Sequence, residues 1–179
     1  MLEIQIPAQE IWDDERQQFF QFKGQKLTLE HSLVSLSKWE SKWCKSFLNS
    51  KDKTASEIND YVRCMTITQN VDPMAYLFLT KENYKEIDAY IDSPMTATTI
   101  NEPNKAPSRE IITAEIIYYW MISLQIPFEC QKWHLNRLLT LIKVCNIKNG
   151  NPKKMSKSEI MSRNRSLNAA RRAKLKTKG

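Results

Sequence analysis

Apolar and polar positions alternate at the start of the chain. In "LEIQI", Leu2, Ile4 and Ile6 fall on one side of an extended backbone, the period of a half-buried strand. "DDER" at 13–16 reads as a turn between "EIW" and "QQFFQF", and "KGQ" around Gly24 turns the chain into "KLTLE". The pattern predicts a small antiparallel β-meander over residues 2–30. A sheet of that size needs helices against one face.

The period then lengthens. In "SLVSLSKWESKWCKSFL", Leu33, Leu36, Trp39, Trp43 and Phe47 recur every three or four residues, with Lys38, Lys42 and Lys45 elsewhere on the surface, which predicts an amphipathic helix. "TASE" has capping-box spacing, Thr54 and Glu57 each positioned to satisfy the other's free N–H, and opens a helix with Ile58, Tyr61, Val62 and Met65 on one stripe. Asp72 and Pro73 supply a cap and a first-turn proline for a short helix through Leu77. "TKENYKEIDAYI" predicts another, with Tyr84, Ile87 and Ile91 inward.

Prolines and small polar residues mark 94–108 as a connector. Beyond it, "REIITAEIIYYWMISLQ" is apolar around most of its circumference and predicts the most buried helix. "ECQKWHLNRLLTLIKVC" follows after "IPF", with Trp133, Leu138, Ile142 and Cys145 on one stripe that Leu135, Leu139 and Leu141 widen. So short a loop between two such helices predicts an antiparallel hairpin. The expected class is α+β, mainly α. Residues 1–93 hold the meander and its helices, 94–108 the connector, 109–150 the helical hairpin and 151–179 a basic C-terminal helix or tail.

Charge changes this picture at one end. Residues 151–179 hold ten of the 27 basic side chains and one of the 20 acids, leaving 17 and 19 for the rest. A nearly neutral body therefore carries a strongly basic tail. Arg163, Arg165, Arg171, Arg172 and Lys174 are its candidate contact residues, and Ile160 and Leu167 add apolar groups. Three uses compete: docking on an acidic protein surface, neutralising nucleic-acid phosphates with release of counterions, or simple solvation. Docking is the reading carried forward, with Trp39 and Trp43 as further interface candidates, although their helical spacing equally fits core positions.

Other chemistry finds little support. The four cysteines are scattered without a C-x-x-C pair and His31 and His134 are the only histidines, so no metal site is expected. The glycines, Gly24, Gly150 and Gly179, are too few and too far apart for a phosphate-cradling loop. "KMSKS" at 154–158 matches the ATP loop of one class of aminoacyl-tRNA synthetase. That chemistry also requires a nucleotide-binding α/β domain and a second motif with paired histidines and a glycine, which this chain lacks. Ser156 and Glu159 instead have capping-box spacing. His134, with Arg137 nearby, reads as the polar edge of a buried helix rather than part of a catalytic set. No catalysis and no cofactor are expected. No apolar run approaches the ~18–20 residues of a membrane span, and the opening residues lack a secretory profile, so a cytoplasmic location is expected.

Three stretches together carry a resemblance: "LTLEHSLVSLSKWESKWCKSFL" with "DYVRCMT", "EIIYYWMISLQIPFECQKWHLNRLLTLIKVCN", and "MSRNRSLNAARRAKLKTKG". They resemble small proteins from the structural gene clusters of tailed bacteriophages, of the tail assembly chaperone or tail-morphogenesis kind. The resemblance implies a non-catalytic viral protein that works by protein–protein contact during virion morphogenesis. It implies partners among the tail tube, the tape measure or neighbouring tail components, and action in the host cytoplasm, with retention in the virion left open. It carries over no active-site residue. A phage nucleic-acid-binding protein using residues 151–179, and a small phage inhibitor of a host system, are the alternatives.

Overall fold

The computed structural model describes residues 1–14, 17–100, 110–150 and 157–175. Helix dominates an α+β arrangement, as the periodicities predict. The chain divides into two units, Met1–Asn146 and Ile147–Gly179.

The strands are β1 (Leu2–Ile6), β2 (Gln9–Asp13), β3 (Gln18–Phe22) and β4 (Gln25–Leu29). They are antiparallel, as expected, but their order differs from a meander: β1 pairs with β4, and β2 with β3. Both ladders keep one register, since Ile6 faces Gln25 and Gln9 faces Phe22. The element is one long ribbon, interrupted where Pro7 and Ala8 lie opposite Lys23 and Gly24. Pro7 has no N–H to give a ladder, which fits the interruption, and pairing resumes beyond it up to Asp13 facing Gln18, next to which Gln17 takes a left-handed φ of 49°.

Helix α1 (Leu33–Trp43) starts on a reciprocal cap between Ser32 and Ser35 and ends at Cys44, whose φ of 52° is left-handed. Helix α2 (Ala55–Met65) carries the predicted Thr54–Glu57 box. A 3₁₀ turn at Pro73–Leu77 is capped by Asp72, and α3 (Lys81–Asp92) by Thr80 with Asn83. Helix α4 (Ala114–Ser123), a 3₁₀ turn (Phe128–Lys132) and α5 (Leu135–Asn149) complete the first unit apart from the last turn of α5.

Two clusters form its core. Ile4, Ile6, Leu27, Leu29, Trp39, Tyr61, Met65 and Ile87 make the first, and Leu33, Leu36, Ala114, Ile117, Met121, Leu135, Leu138 and Ile142 the second. Helix α1 serves both, giving Leu33 and Leu36 to one and Trp39 to the other. Residues 1–93 and the helices after the connector therefore share a wall and form one unit. Buried Glu40 ties the same helix to α4: its carboxylate accepts from Phe47 N at 2.8 Å and Ala114 N at 2.7 Å. It thus caps α4, for which Thr113 makes no side-chain cap.

Several expectations need correction. Helix α4 begins at Ala114 rather than Arg109, and it is not the most buried helix. It buries Ala114, Ile117 and Met121 while Tyr119 and Ile122 stay exposed. Ten residues packed against one wall cover one face, whatever their composition. Helix α5 begins at Leu135, not Glu129, because Leu135 N donates to His31 O at 2.7 Å and His134 bridges Ser32, holding the preceding backbone extended. Ile58 faces solvent instead of joining its stripe. The cap expected from Ser156 and Glu159 lies outside the described residues.

Candidate functional site

The outer end of the ribbon is one place where apolar surface meets solvent. In an antiparallel pair, directly opposed residues share a face. On the β1–β4 segment the inward face carries Ile4, Ile6, Leu27 and Leu29, all buried. Across the interruption the inward face changes, and Phe22, packed on Phe78 at 5.1 Å between ring centroids, is the buried side chain of β3. Gly24 makes that turnover possible. Its φ is 74°, and a Cβ there would lie 2.8 Å from Ile6 O and 2.9 Å from Ala8 N, so a side chain is excluded by both space and conformation.

Beyond this joint the ribbon exposes apolar groups on both faces. Ile11 opposes Phe20 on one, and Trp12 opposes Phe19 on the other. Trp12 is 47% and Phe19 65% exposed, with their rings in an edge-to-face contact at 5.0 Å. Glu10 shares their face and accepts from Gln21 Nε2 at 2.5 Å. A two-stranded ribbon that leaves four large apolar side chains in water has surface to offer a partner.

The second exposed element is α6 (Lys157–Leu175). Every described side chain on it is exposed, including Arg163, Arg165, Arg171, Arg172 and Lys174. Ile160 and Leu167, each 45% exposed, lie two turns apart on one face. Arg171 and Lys174 follow on that face at helical spacing. The predicted tail residues are therefore brought together on one helix and presented to solvent.

The two tryptophan candidates separate. Trp39 is 0% exposed and donates from its indole N–H to Glu57 O at 2.8 Å. It is a core residue and offers a partner nothing. Trp43 is half-buried, donating to Asp60 Oδ2 at 2.9 Å beneath Lys42. The ribbon aromatics were not singled out from sequence, although "EIWDDERQQFF" places them at strand spacing beside a turn, a signal that could have found them.

His134 is not a polar edge. It is buried against His31, with ring centroids 5.2 Å apart. Its Nε2 lies 3.0 Å from Tyr90 O, which can only accept, and its Nδ1 accepts from Asn136 N at 3.3 Å, so the ring is neutral with its proton on Nε2. Tyr61 Oη lies 2.6 Å from His31 Nδ1. Burial, reinforced by the neighbouring His134, lowers the His31 pKa to about 3, and burial lowers that of His134 despite the Tyr90 carbonyl. These buried rings join four elements through Tyr61, Tyr90 and each other.

Among the described residues, no three of His, Cys, Asp or Glu gather as metal ligands, and no helix is long and apolar enough to cross a membrane. The chain matches no protein-family model, no curated protein and no solved structure.

Proposed function

We propose that the chain is a non-catalytic assembly protein that works by protein–protein contact, of the bacteriophage tail-morphogenesis kind that its sequence resembles. The observation that carries this reading is the outer end of the ribbon, where Ile11, Trp12, Phe19 and Phe20 stand exposed on both faces. Aromatic side chains make strong interface anchors because they bury a large area at low conformational cost. Partners among the tail tube, the tape measure and neighbouring tail components follow from the resemblance, as does action in the host cytoplasm. The test is co-expression with each of these proteins from the same gene cluster, followed by capture on the tagged chain. Trp12→Ser with Phe19→Ser is expected to abolish capture, and failure to retain any of them removes the reading.

A second reading rests on α6, whose six basic residues and one acid suit nucleic-acid phosphates. Under that reading, retention on DNA falls steeply with salt, and Arg171→Glu with Arg172→Glu weakens binding to every DNA sequence alike. Docking on protein is favoured because Ile160 and Leu167 share the helix. Burial of each is worth roughly 1.5–3 kcal/mol, against about 0–1 kcal/mol for an exposed ion pair.

A further inference from the structure

The two exposed elements of the chain are complementary to each other. The described residues 9–14 and 17–22 carry three acids and no base, whereas residues 157–175 carry six bases and one acid. The match extends to individual faces. One face of the ribbon sets Trp12 and Phe19 beside the Glu10 carboxylate. One face of α6 sets Ile160 and Leu167 in line with Arg171 and Lys174. The spacings are compatible as well. Glu10 and Trp12 lie ~7 Å apart along the strand, and Leu167 lies ~6 Å from Arg171 and ~10 Å from Lys174 along the helix axis.

We propose that the chain associates with further copies of itself head to tail, the aromatic and acidic end of the β2–β3 ribbon in one copy receiving the basic α6 helix of the next. Leu167 and Ile160 cover the Trp12–Phe19 face, Lys174 or Arg171 pairs with Glu10, and the other guanidinium or ammonium group has an indole face to lie over. The two surfaces differ, so one contact leaves a free ribbon on one copy and a free helix on the other. Such a heterologous contact repeats until it closes into a ring or continues as an open chain. This inference goes beyond the tail-morphogenesis reading and needs no protein other than the chain itself, so either can fail without the other.

Sedimentation velocity of the full chain over a concentration series tests it. Expected are species larger than the monomer that grow with concentration and shrink at high salt, where exposed charges are screened. Two double variants divide the contact: Trp12→Ser with Phe19→Ser removes the ribbon surface, and Arg171→Glu with Lys174→Glu removes the helix surface. All four positions are exposed, and circular dichroism checks that the fold is kept. Each variant alone is expected to be monomeric. An equimolar mixture of the two is expected to form a dimer and nothing larger, because only one ribbon and one helix surface remain. A wild-type chain that stays monomeric at every concentration, as it would if α6 docked on its own ribbon, overturns the proposal. So do oligomers that survive either double variant, and a mixture that stays monomeric.

Discussion

Two aromatic groups in this chain share a geometry and differ in everything else. Trp39 meets Phe47 edge-to-face at 5.1 Å, and Phe47 stacks on Tyr61 at 3.7 Å, all within the first core cluster or packed on it. Trp12 meets Phe19 edge-to-face at 5.0 Å on the outer ribbon, in water. Ring contact alone therefore does not mark a core. What separates the groups is the number of layers around them. Trp39 lies under α2 with its N–H satisfied by Glu57 O, whereas β2 and β3 pair only with each other among the described strands. The first group holds the fold, and the second is free to hold something else.

Truncating the buried member should break the fold. Trp39→Ala is expected to cost about 3–5 kcal/mol, the range for a large aromatic removed from a packed core, read from urea unfolding. A loss below about 1 kcal/mol would mean the cluster relaxes as a surface does, and the contrast with Trp12 would collapse.

Acid should strike the same interior and spare the exposed elements, because both histidines are inside. The His31 pKa falls from its ordinary 6.5 to about 3 on folding, so the unfolded chain binds the proton more tightly. Stability is then fully present above pH 6.5 and is lost as pH falls toward 3. At roughly 1.4 kcal/mol per pH unit per group, His31 alone removes about 2–3 kcal/mol by pH 4.5, and His134 acts in the same direction. Unfolding free energies measured at pH 7 and pH 4.5 check this. Equal values would show that the rings take up protons without leaving their sites.

Tyr61→Phe sharpens the contrast at the level of one hydroxyl. It preserves the ring stack on Phe47 and takes the hydroxyl partner from His31 Nδ1. An unsatisfied buried group costs about 1–3 kcal/mol. A neutral outcome in thermal unfolding would mean water replaces the hydroxyl and that the site is less enclosed than its burial implies.

The sequence made some of this legible and hid the rest for definite reasons. Strand alternation exposed Ile4 and Ile6 as inward, and helical spacing did the same for Leu36 and Ile87, because both are local periodicities. Pairing order was not legible: β1 finds β4 across the whole ribbon, and nothing local in "PAQ" shows that the chain passes straight on at Pro7. Helix α4 misled because a segment apolar on most sides has no stripe to show which face is covered. Trp39 and Trp43 share a spacing yet end differently, since Phe47 and Tyr61 pack on Trp39 and contacts distant in sequence leave no mark on the spacing. The histidine pair joins positions far apart in the chain, a contact that no spacing rule reaches. The basic helix was legible as a helix because composition and spacing are enough for an element whose described side chains are all exposed.

The smallest expected effect on stability is the most informative about the exposed group. Trp12→Ala removes one member of a cross-strand pair, and such pairs contribute roughly 0.2–1 kcal/mol. Little burial is lost, because nearly half of the side chain is already in water. Urea unfolding of Trp12→Ala should therefore shift by no more than about 1 kcal/mol, while the concentration-dependent growth in sedimentation should fall sharply. The two readouts must part company for this residue and not for Trp39, whose truncation should lower stability first and association only as a consequence. If Trp12→Ala instead unfolds the chain as Trp39→Ala does, the ribbon end is a structural element, and its aromatics are held by contacts within the fold. A variant that keeps both its stability and its association would leave Trp12 without a role, and the docking surface would have to rest on Phe19, Phe20 and Ile11 alone.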